Sequence, residues 1–408
     1  MGFFKQTIRD VPLEGQTVLL RADYNVPLDK NGKIDDDFRI RASLPTVEKL
    51  LSDGCKVVVI SHLGRPEGRD ASMSLEPAAQ RLAELLKLDV RFVDDCIGDK
   101  VKMAIKRAPS RSVVVLENLR FYKEEEANDQ VFAKRLAADS GARYFVQDGF
   151  GVVHRAHAST AAITLELPSV AGLLLEREYI SITEAMKAPK RPFVAVMGGA
   201  KVSDKIGVID ALVEVADRII ISGAMANTFL AYKGIDMGAS RIEADQTETL
   251  DRIYAAAGAK VGNDHEDEFL VLPTDVAVAS KIDASEPRRI VSVHEVGQND
   301  LALDVGDETI AAISSIIADA QTVIWNGTLG VAELPHFSYG SAQLAKGLAE
   351  NPHVTSIIGG GDTADFVLKW DSKKGGSFSH VSTGGGASLE LMAGEKLPGI
   401  ECLLDAHR

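Results

Sequence analysis

The sequence predicts an α/β protein of two doubly wound, parallel-sheet (Rossmann-like) domains joined by a hinge helix. Two observations carry this. Short Val- and Ile-rich runs of about five residues end in a Gly or small-residue turn and lead into helical stretches. Without alternation, such runs read as strands buried on both faces of a parallel sheet. The pattern fills both halves of a chain of 408 residues, more than one hydrophobic core usually supports.

Taken in order, the first half offers TVLLRADYN, KVVVISHLG, VRFVDD, SVVVLENLR and RYFVQDGF. The second offers FVAVM before GGAK, RIIIS before GAMA, FLVLP before TD, TVIWN before GTLG, VTSII before GGGDT and FSHVS before TGGGA. In such sheets ligands sit at the carboxyl ends of the strands. Between the halves lies LPSVAGLLLEREYISITEAMKAPKRP, Leu167 to Pro192. Pro168 closes the first domain, and Pro189 and Pro192 open the second. Apolar spacing at Leu173, Leu174, Tyr179, Ile180 and Met186 suits one linking helix. The expected boundaries are 1–169, a linking helix over 170–187, and 188–396.

Composition narrows the function classes. Apolar content of 45% and charged content of 25% are those of an ordinary soluble chain. No apolar run reaches a membrane span, and MGFFKQTIRD lacks a signal layout, which predicts a cytoplasmic protein. Cys55, Cys96 and Cys402 lie far apart without a CxxC pair, as in a reduced compartment without structural zinc. The net charge of −14 falls entirely after residue 170. An acidic chain of this kind is not expected to bind nucleic acid.

Chemistry-bearing residues cluster at the predicted strand ends, and the two halves differ. The first half carries arginines and polar donors: Arg21, Asp23 and Asn25 in RADYN, Arg39 in DDFRI, His62 and Arg65 in HLGR, Arg120 in ENLR, and His154, Arg155 and His157 in HRAH. A single arginine is usually a solvated residue, but guanidinium groups bind phosphate and carboxylate bidentately, so five at one sheet edge suit a small anion. The histidines of HRAH lack a carboxylate neighbour and flank a cation, which argues for anion contact or capping rather than metal.

The second half carries glycines. GGAK, NGTLG, GGGDT and TGGGAS place backbone N–H groups and helix N-termini where a polyphosphate would lie. Asp362 is a candidate Mg²⁺ ligand or anchor. AVMGGAKVSDKI resembles a P-loop but lacks the Walker order, and it places Lys201 and Lys205 one turn apart on a shared helix face. GGGDTA mimics a dinucleotide fingerprint, but it sits in the fifth βα unit, and FSHVS ends without the acidic residue a ribose requires.

In their order along the chain, RADYNVP, the Arg39 segment, SHLGRP, LENLRF, HRAHAS, GGAKVSDKI, WNGTLGVAE, GGGDTA and STGGGASLE make the sequence resemble the phosphoglycerate kinase family essentially end to end. The resemblance implies reversible phosphoryl transfer between 1,3-bisphosphoglycerate with MgADP and 3-phosphoglycerate with MgATP, in a monomer. It implies an N-terminal phosphoglycerate site formed by Asp23, Tyr24, Asn25, Arg39, His62, Leu63, Gly64, Arg65, Arg120 and Arg155. It also implies a C-terminal nucleotide site of Lys205, Asn326, Glu333, Gly360, Gly361, Asp362 and Thr363, with Asp362 serving the Mg²⁺. Catalytic roles fall to Arg39, Lys201, Gly361 and Gly385. The final stretch, residues 397–408, is implied to return to the N-terminal domain.

The sequence departs from the family's usual pattern at Thr328 (Pro), Ala332 (Phe), Ser222 (Gly) and Val152 (Thr). The expected mechanism places Arg39 and Lys201 on either side of the moving phosphoryl group, Lys205 and the Gly360–Thr363 turn on the nucleotide phosphates, and Glu333 on the ribose, with hinge closure completing the site. The opposing class is a nonenzymatic nucleotide-binding scaffold on the same fold. Such a scaffold would have no need of Arg39 and Lys201.

Overall fold

In the computed structural model, which describes residues 2–406, the chain divides into two compact units. One comprises the residues up to Ile180 and those from Lys396 onward, and the other is Ser181–Glu395. The division falls inside the helix Leu173–Lys187, between its eighth and ninth residues.

The first unit is built on β1 (Thr17–Arg21), β2 (Lys56–Ile60), β3 (Val90–Val93), β4 (Val113–Leu116), β5 (Tyr144–Gln147) and β6 (Ser169–Ala171). All pairings are parallel, in the order β3-β4-β2-β1-β5-β6. Alternate side chains of one strand enter different cores. Val18 and Leu20 of β1 pack with Ile40, Val47 and Leu50 of the helix Phe38–Ser52 and Leu82 of Glu76–Leu86. Leu19, on the other face, packs with Val101 and Ile105 of Asp99–Arg107 and Phe132 and Leu136 of Gln130–Ser140. Burial on both faces, at about 1.5–3 kcal/mol per large apolar side chain, is why the strands show no alternation. The strand order reverses between β1 and β5, so the loops after them, RADYN and QDGF, diverge and open a crevice.

The C-terminal segment completes this unit. The Leu404 amide donates to the Ser169 carbonyl at 2.9 Å, and the Gln6 amide to the Leu404 carbonyl at 2.8 Å. The Lys5 ammonium reaches the carbonyls of Glu401 (2.7 Å) and Leu403 (2.9 Å) and the Asp405 carboxylate (2.7 Å). The Gly399 amide donates to the Val153 carbonyl at 2.8 Å.

The second unit carries β7 (Phe193–Met197), β8 (Arg218–Ile221), β9 (Leu270–Val271), β10 (Asp275–Ala279), β11 (Arg289–Ser292), β12 (Leu301–Val305), β13 (Thr322–Asn326), β14 (Thr355–Gly359) and β15 (His380–Val381). Six of them pair in parallel in the order β15-β14-β13-β7-β8-β9. Numbered within the unit this is the dinucleotide-fold order 3-2-1-4-5-6, whose switch point lies between β7 and β13. The loops leaving those strands are GGAK and NGTLG.

The remaining strands form an antiparallel sheet in the order β11-β10-β12, which the sequence reading did not anticipate. Thr274, read with Asp275 as a turn after FLVLP, leads directly into β10, which begins at Asp275. β10 pairs antiparallel with both of its neighbours, so no crossover helix is needed between them.

Candidate functional sites

The first-unit site sits at the ends of β1, β2, β4 and β5. Arg21, the last residue of β1, is 1% exposed. Its Nε donates to Ser159 Oγ (2.8 Å), it also bonds the Ala22 carbonyl, and Nη2 lies 3.2 Å from His62 Nδ1. Ser159 in turn bonds the buried Glu125 through both its amide (3.0 Å) and its hydroxyl. Arg21 is thus a brace whose donors are engaged by the protein.

Arg39 is more open. Its Nη1 donates to Asp23 Oδ2 and to the Asn25 carbonyl, both at 3.1 Å. Burial raises the Asp23 pKa, but Arg39, His62 and Arg21 outweigh it and hold the carboxyl below its usual range. Burial, reinforced by Arg21, Arg120 and Arg39, holds His62 well below the usual histidine range, so at neutral pH it is an uncharged imidazole.

Asn118, within the ENLR segment, organises the next layer. Its amide side chain accepts from the amides of Leu63 (3.2 Å) and Arg120 (3.1 Å) and donates to the carbonyls of Leu63 (2.7 Å) and Met73 (2.9 Å). Arg120 then reaches the Gly64 carbonyl at 2.6 Å and Glu126 at 3.1 Å. Asn25 Oδ1 accepts from the Gly64 amide at 2.8 Å. Arg155 donates to His154 Nε2 at 3.1 Å, and Arg65 is exposed.

Several expected contact residues therefore hold the loops together. Tyr24 is fully buried, with its hydroxyl 3.0 Å from Ser43 Oγ. Both backbone polar groups of Leu63 are used by Asn118. Arg39, Arg65 and Arg155 remain as partly or fully open cations at this edge, with Arg120 buried behind them against Gly64 and Glu126. The sequence reading passed over Asn118 and Glu125. The only sign of Asn118 was its place beside the selected Arg120.

In the second unit the switch point is crowded with backbone. The Gly198 amide donates to the Asn326 carbonyl at 2.9 Å, and at Gly198 and Gly327 a Cβ would overlap the opposing loop. Lys205 is buried against both loops, its ammonium donating to the carbonyls of Gly198 (2.6 Å) and Asn326 (2.8 Å). Burial draws its pKa down to about 8, against the opposing pull of Asp362 and Asp204.

Lys201 and Lys205 do not share a helix face. The helix begins at Ile206, after a 3₁₀ turn at Ser203–Lys205. Glu243 shapes this turn by accepting from the Val202 amide (2.7 Å), the Ser203 amide (3.2 Å) and the Ser203 hydroxyl. Lys205 points back into the strand ends while Lys201 is exposed.

After β14 the chain turns at Gly360, φ +88°, where a Cβ would also press on the Asn326 amide at 3.2–3.3 Å. The helix Gly361–Trp370 starts there without a side-chain cap, as does Gly385–Met392. A Cβ at Gly385 would lie 3.8 Å from the Gly361 amide, so the two N-termini converge. Thr363 Oγ1 accepts from the Gly327 amide at 2.7 Å, linking this turn to the β13 loop. Asp362 is exposed beside it, and with Glu333 it lines a cavity of about 430 Å³ floored by Gly199, Ala200, Gly223 and Ala224. Uncapped helix N-termini, close backbone amides and a buried ammonium together form an anion receptor.

Asp304, on β12, is a lining residue that sequence reasoning missed. Its carboxylate accepts from the Gly340 (2.8 Å) and Val305 (2.9 Å) amides, and burial pushes its pKa up to about 7.

The departures at Thr328 and Ser222 are accommodated locally. Thr328 Oγ1 donates to the Gly330 carbonyl at 2.8 Å, and Ser222 Oγ reaches the Met197 carbonyl at 3.3 Å. Ala332 lines a second opening beside Phe366 and Trp370.

Comparison with known proteins gives one family. The family model described as phosphoglycerate kinase matches residues 8–395. The chain is 44% identical over 400 residues to phosphoglycerate kinase of Dictyoglomus turgidum, covering 98% of each chain. It is 48% identical over 396 residues to the chloroplastic phosphoglycerate kinase of Volvox carteri, covering 96% of this chain and 84% of that one. Among solved structures it resembles the phosphoglycerate kinases of Coxiella burnetii (TM-score 0.82, 35% identity) and Pyrococcus horikoshii (TM-score 0.83, 31% identity), each match covering 98% of both chains.

Proposed function

The chain belongs to the phosphoglycerate kinase family, phosphotransferases with a carboxyl group as acceptor, and we propose that its two units divide that reaction between them. The first unit, with Arg39, Arg65, Arg120 and Arg155 at one sheet edge, takes the phosphoglycerate. The second, with the Lys205-braced switch point and the converging N-termini at Gly361 and Gly385, takes the nucleotide. That contrast between an arginine-lined edge and a glycine-lined one is the observation that carries the reading.

Within the division, Arg39 and Lys201 serve the transferring phosphoryl group, because each presents a cation that the surrounding protein does not bury. Lys205 and the Gly360–Thr363 amides hold the nucleotide phosphates, and Glu333 accepts from the ribose hydroxyls. Asp362 suits Mg²⁺, an ion that takes one or two protein carboxylates and completes its shell with phosphate oxygens and water. Bound there, the ion would neutralise phosphate charge; the surrounding amides and the Lys205 ammonium orient the chain of phosphates. Phosphoryl transfer relies on positioning and charge stabilisation more than on covalent help, so transfer needs the acceptor held by one unit to meet the nucleotide held by the other.

The test is a coupled assay of ATP consumption. Turnover dependent on added 3-phosphoglycerate is expected. Consumption that ignores it, or that follows another carboxylate instead, would sink the substrate assignment. An ATP-using, cytoplasmic monomer belongs to the same proposal, and gel filtration coupled to light scattering checks the monomer.

A further inference from the structure

The helix Leu173–Lys187 begins in the first unit and continues into the second. Its first three amides are taken by two side chains of the first unit, Thr46 and Asp148, both 0% exposed. Leu173 donates to Thr46 Oγ1 at 3.0 Å, and Leu174 and Leu175 donate to Asp148 Oδ1 at 3.0 and 3.3 Å. Thr46 also hydrogen-bonds the Asp148 carboxyl. Gly172, just before the helix, keeps the joint close, since a Cβ there would overlap that carboxyl. Both partners are fixed to the edge that carries the arginines. Asp148 follows β5, and its amide donates at 2.9 Å to the carbonyl of Arg21, the last residue of β1. Thr46 stands seven residues after Arg39 in the helix Phe38–Ser52. That is two turns along the same face, about 10 Å up the axis. One threonine or serine would be enough to cap a helix. Asp148 Oδ2 has no hydrogen-bond partner, so this acid is buried at a cost that capping alone does not require.

We propose that Thr46 and Asp148 are positioning residues for phosphoryl transfer: they seat the start of the linking helix on the element that carries Arg39, so that the two move as one body. This rests on the two units dividing the reaction as described above. Neither side chain belongs to the arginine-lined edge or to the glycine-lined one, so neither has to touch a substrate. Their effect reaches the chemistry through alignment, where a displacement of about 1 Å costs up to about a hundredfold in rate. A loosened joint lets the helix start shift against Arg39 while the residues that hold phosphoglycerate and nucleotide keep their places.

Steady-state kinetics of Thr46→Val, Thr46→Ser and Asp148→Ala, with urea unfolding alongside, test this. Thr46→Val keeps the shape and loses the hydroxyl. It should lower kcat about tenfold to a hundredfold, with both substrate KM values within about twofold. Thr46→Ser should restore kcat to within about twofold of the original, because the hydroxyl returns. Asp148→Ala should match Thr46→Val, and the double variant should lose no more than the worse single one, since the pair acts as a unit. If Asp148→Ala does not fold, the two Thr46 variants decide alone. A folded Thr46→Val protein with a lowered urea midpoint and unaltered kcat would overturn the proposal, because the joint would then only stabilise the fold. So would an equal loss in Thr46→Ser, or a raised phosphoglycerate KM at unaltered kcat, which would place the damage at the Arg39 edge itself. Absence of phosphoglycerate-dependent turnover in the unsubstituted protein would overturn the kinase reading beneath, an outcome distinct from any effect of the variants.

Discussion

The Lys205 ammonium donates to the Asn326 carbonyl at 2.8 Å, joining a residue that follows β7 to the last residue of β13. Since it also holds the Gly198 carbonyl, one side chain pins both loops of the switch point. Its role is therefore structural as well as electrostatic. In Lys205→Met two buried carbonyls lose a charged donor, at about 1–3 kcal/mol each before relaxation. Urea unfolding should show that loss, and steady-state kinetics should show nucleotide KM raised about tenfold or more with a smaller change in kcat. A loss confined to kcat, with stability unchanged, would contradict the brace.

The same lysine sets a pH dependence. Burial lowers its pKa from 10.5 to about 8. Phosphate is held by the charged form, so nucleotide affinity should be full below pH 8 and fall as pH rises through it. Stability runs the other way, because the folded state disfavours the buried charge below about pH 8 while the unfolded lysine keeps its proton to about 10.5. Nucleotide KM measured from pH 7 to 9.5 should rise in the enzyme and stay level in Lys205→Met. A flat profile in both would remove Lys205 from the phosphates.

Arg39 is the test of catalysis on the other unit. It is anchored by Asp23 and the Asn25 carbonyl yet remains 27% exposed, so it has donors to spare. Arg39→Ala should lower kcat by about 10²–10³-fold, the scale of a lost transition-state donor, while both substrates bind within a few-fold. Unchanged kcat with a raised phosphoglycerate KM would reassign Arg39 to ground-state binding.

How much of this was legible locally depends on how far each feature reaches along the chain. The six strands of the second parallel sheet were visible because each couples an unalternated apolar run to a turn. The β10–β12 sheet was missed because its strands are set by pairings such as Val276 with Val291 and Val305, not by a local turn. The glycines of NGTLG were legible as chemistry because a Cβ at Gly327 or Gly330 would overlap neighbouring backbone, and Gly360 of GGGDT because its φ is +88°. The supposed helix face shared by Lys201 and Lys205 failed because Glu243, some 40 residues away, clamps the intervening turn. Asn118 and Asp304 enter the sites through contacts with distant segments, which spacing alone does not carry.

Gly360 shows why one of those glycines is required. Its φ of +88° is left-handed, and an added Cβ would reach the Asn326 amide at 3.2 Å. Gly360→Ala should cost about 1–3 kcal/mol of stability from the backbone alone, because its ψ of 140° lies outside the αL well in a region essentially reserved for glycine. It should also weaken MgADP binding, by displacing Asn326 or the Gly361 helix end. Calorimetry showing unaltered ADP affinity together with unaltered unfolding would mean the turn is free to relax.

The histidines of the first unit give the last test. Burial lowers the pKa of His62, His154 and His157, with Arg155, Arg120 and Arg21 adding to the effect, and His157 falls to about 4. An imidazole depressed in the fold contributes stability that is present above its ordinary pKa near 6.5 and lost as pH falls toward the folded value. Asp148 and Asp304, pushed up to about 7 by burial, act in the opposite direction over the same acid range, so the slope of the unsubstituted protein is a balance. The difference between it and His157→Gln isolates the histidine part. Urea midpoints from pH 7 to 4.5 should fall less steeply in His157→Gln. Parallel curves would mean that His157 takes its proton in the folded state as readily as in the unfolded chain.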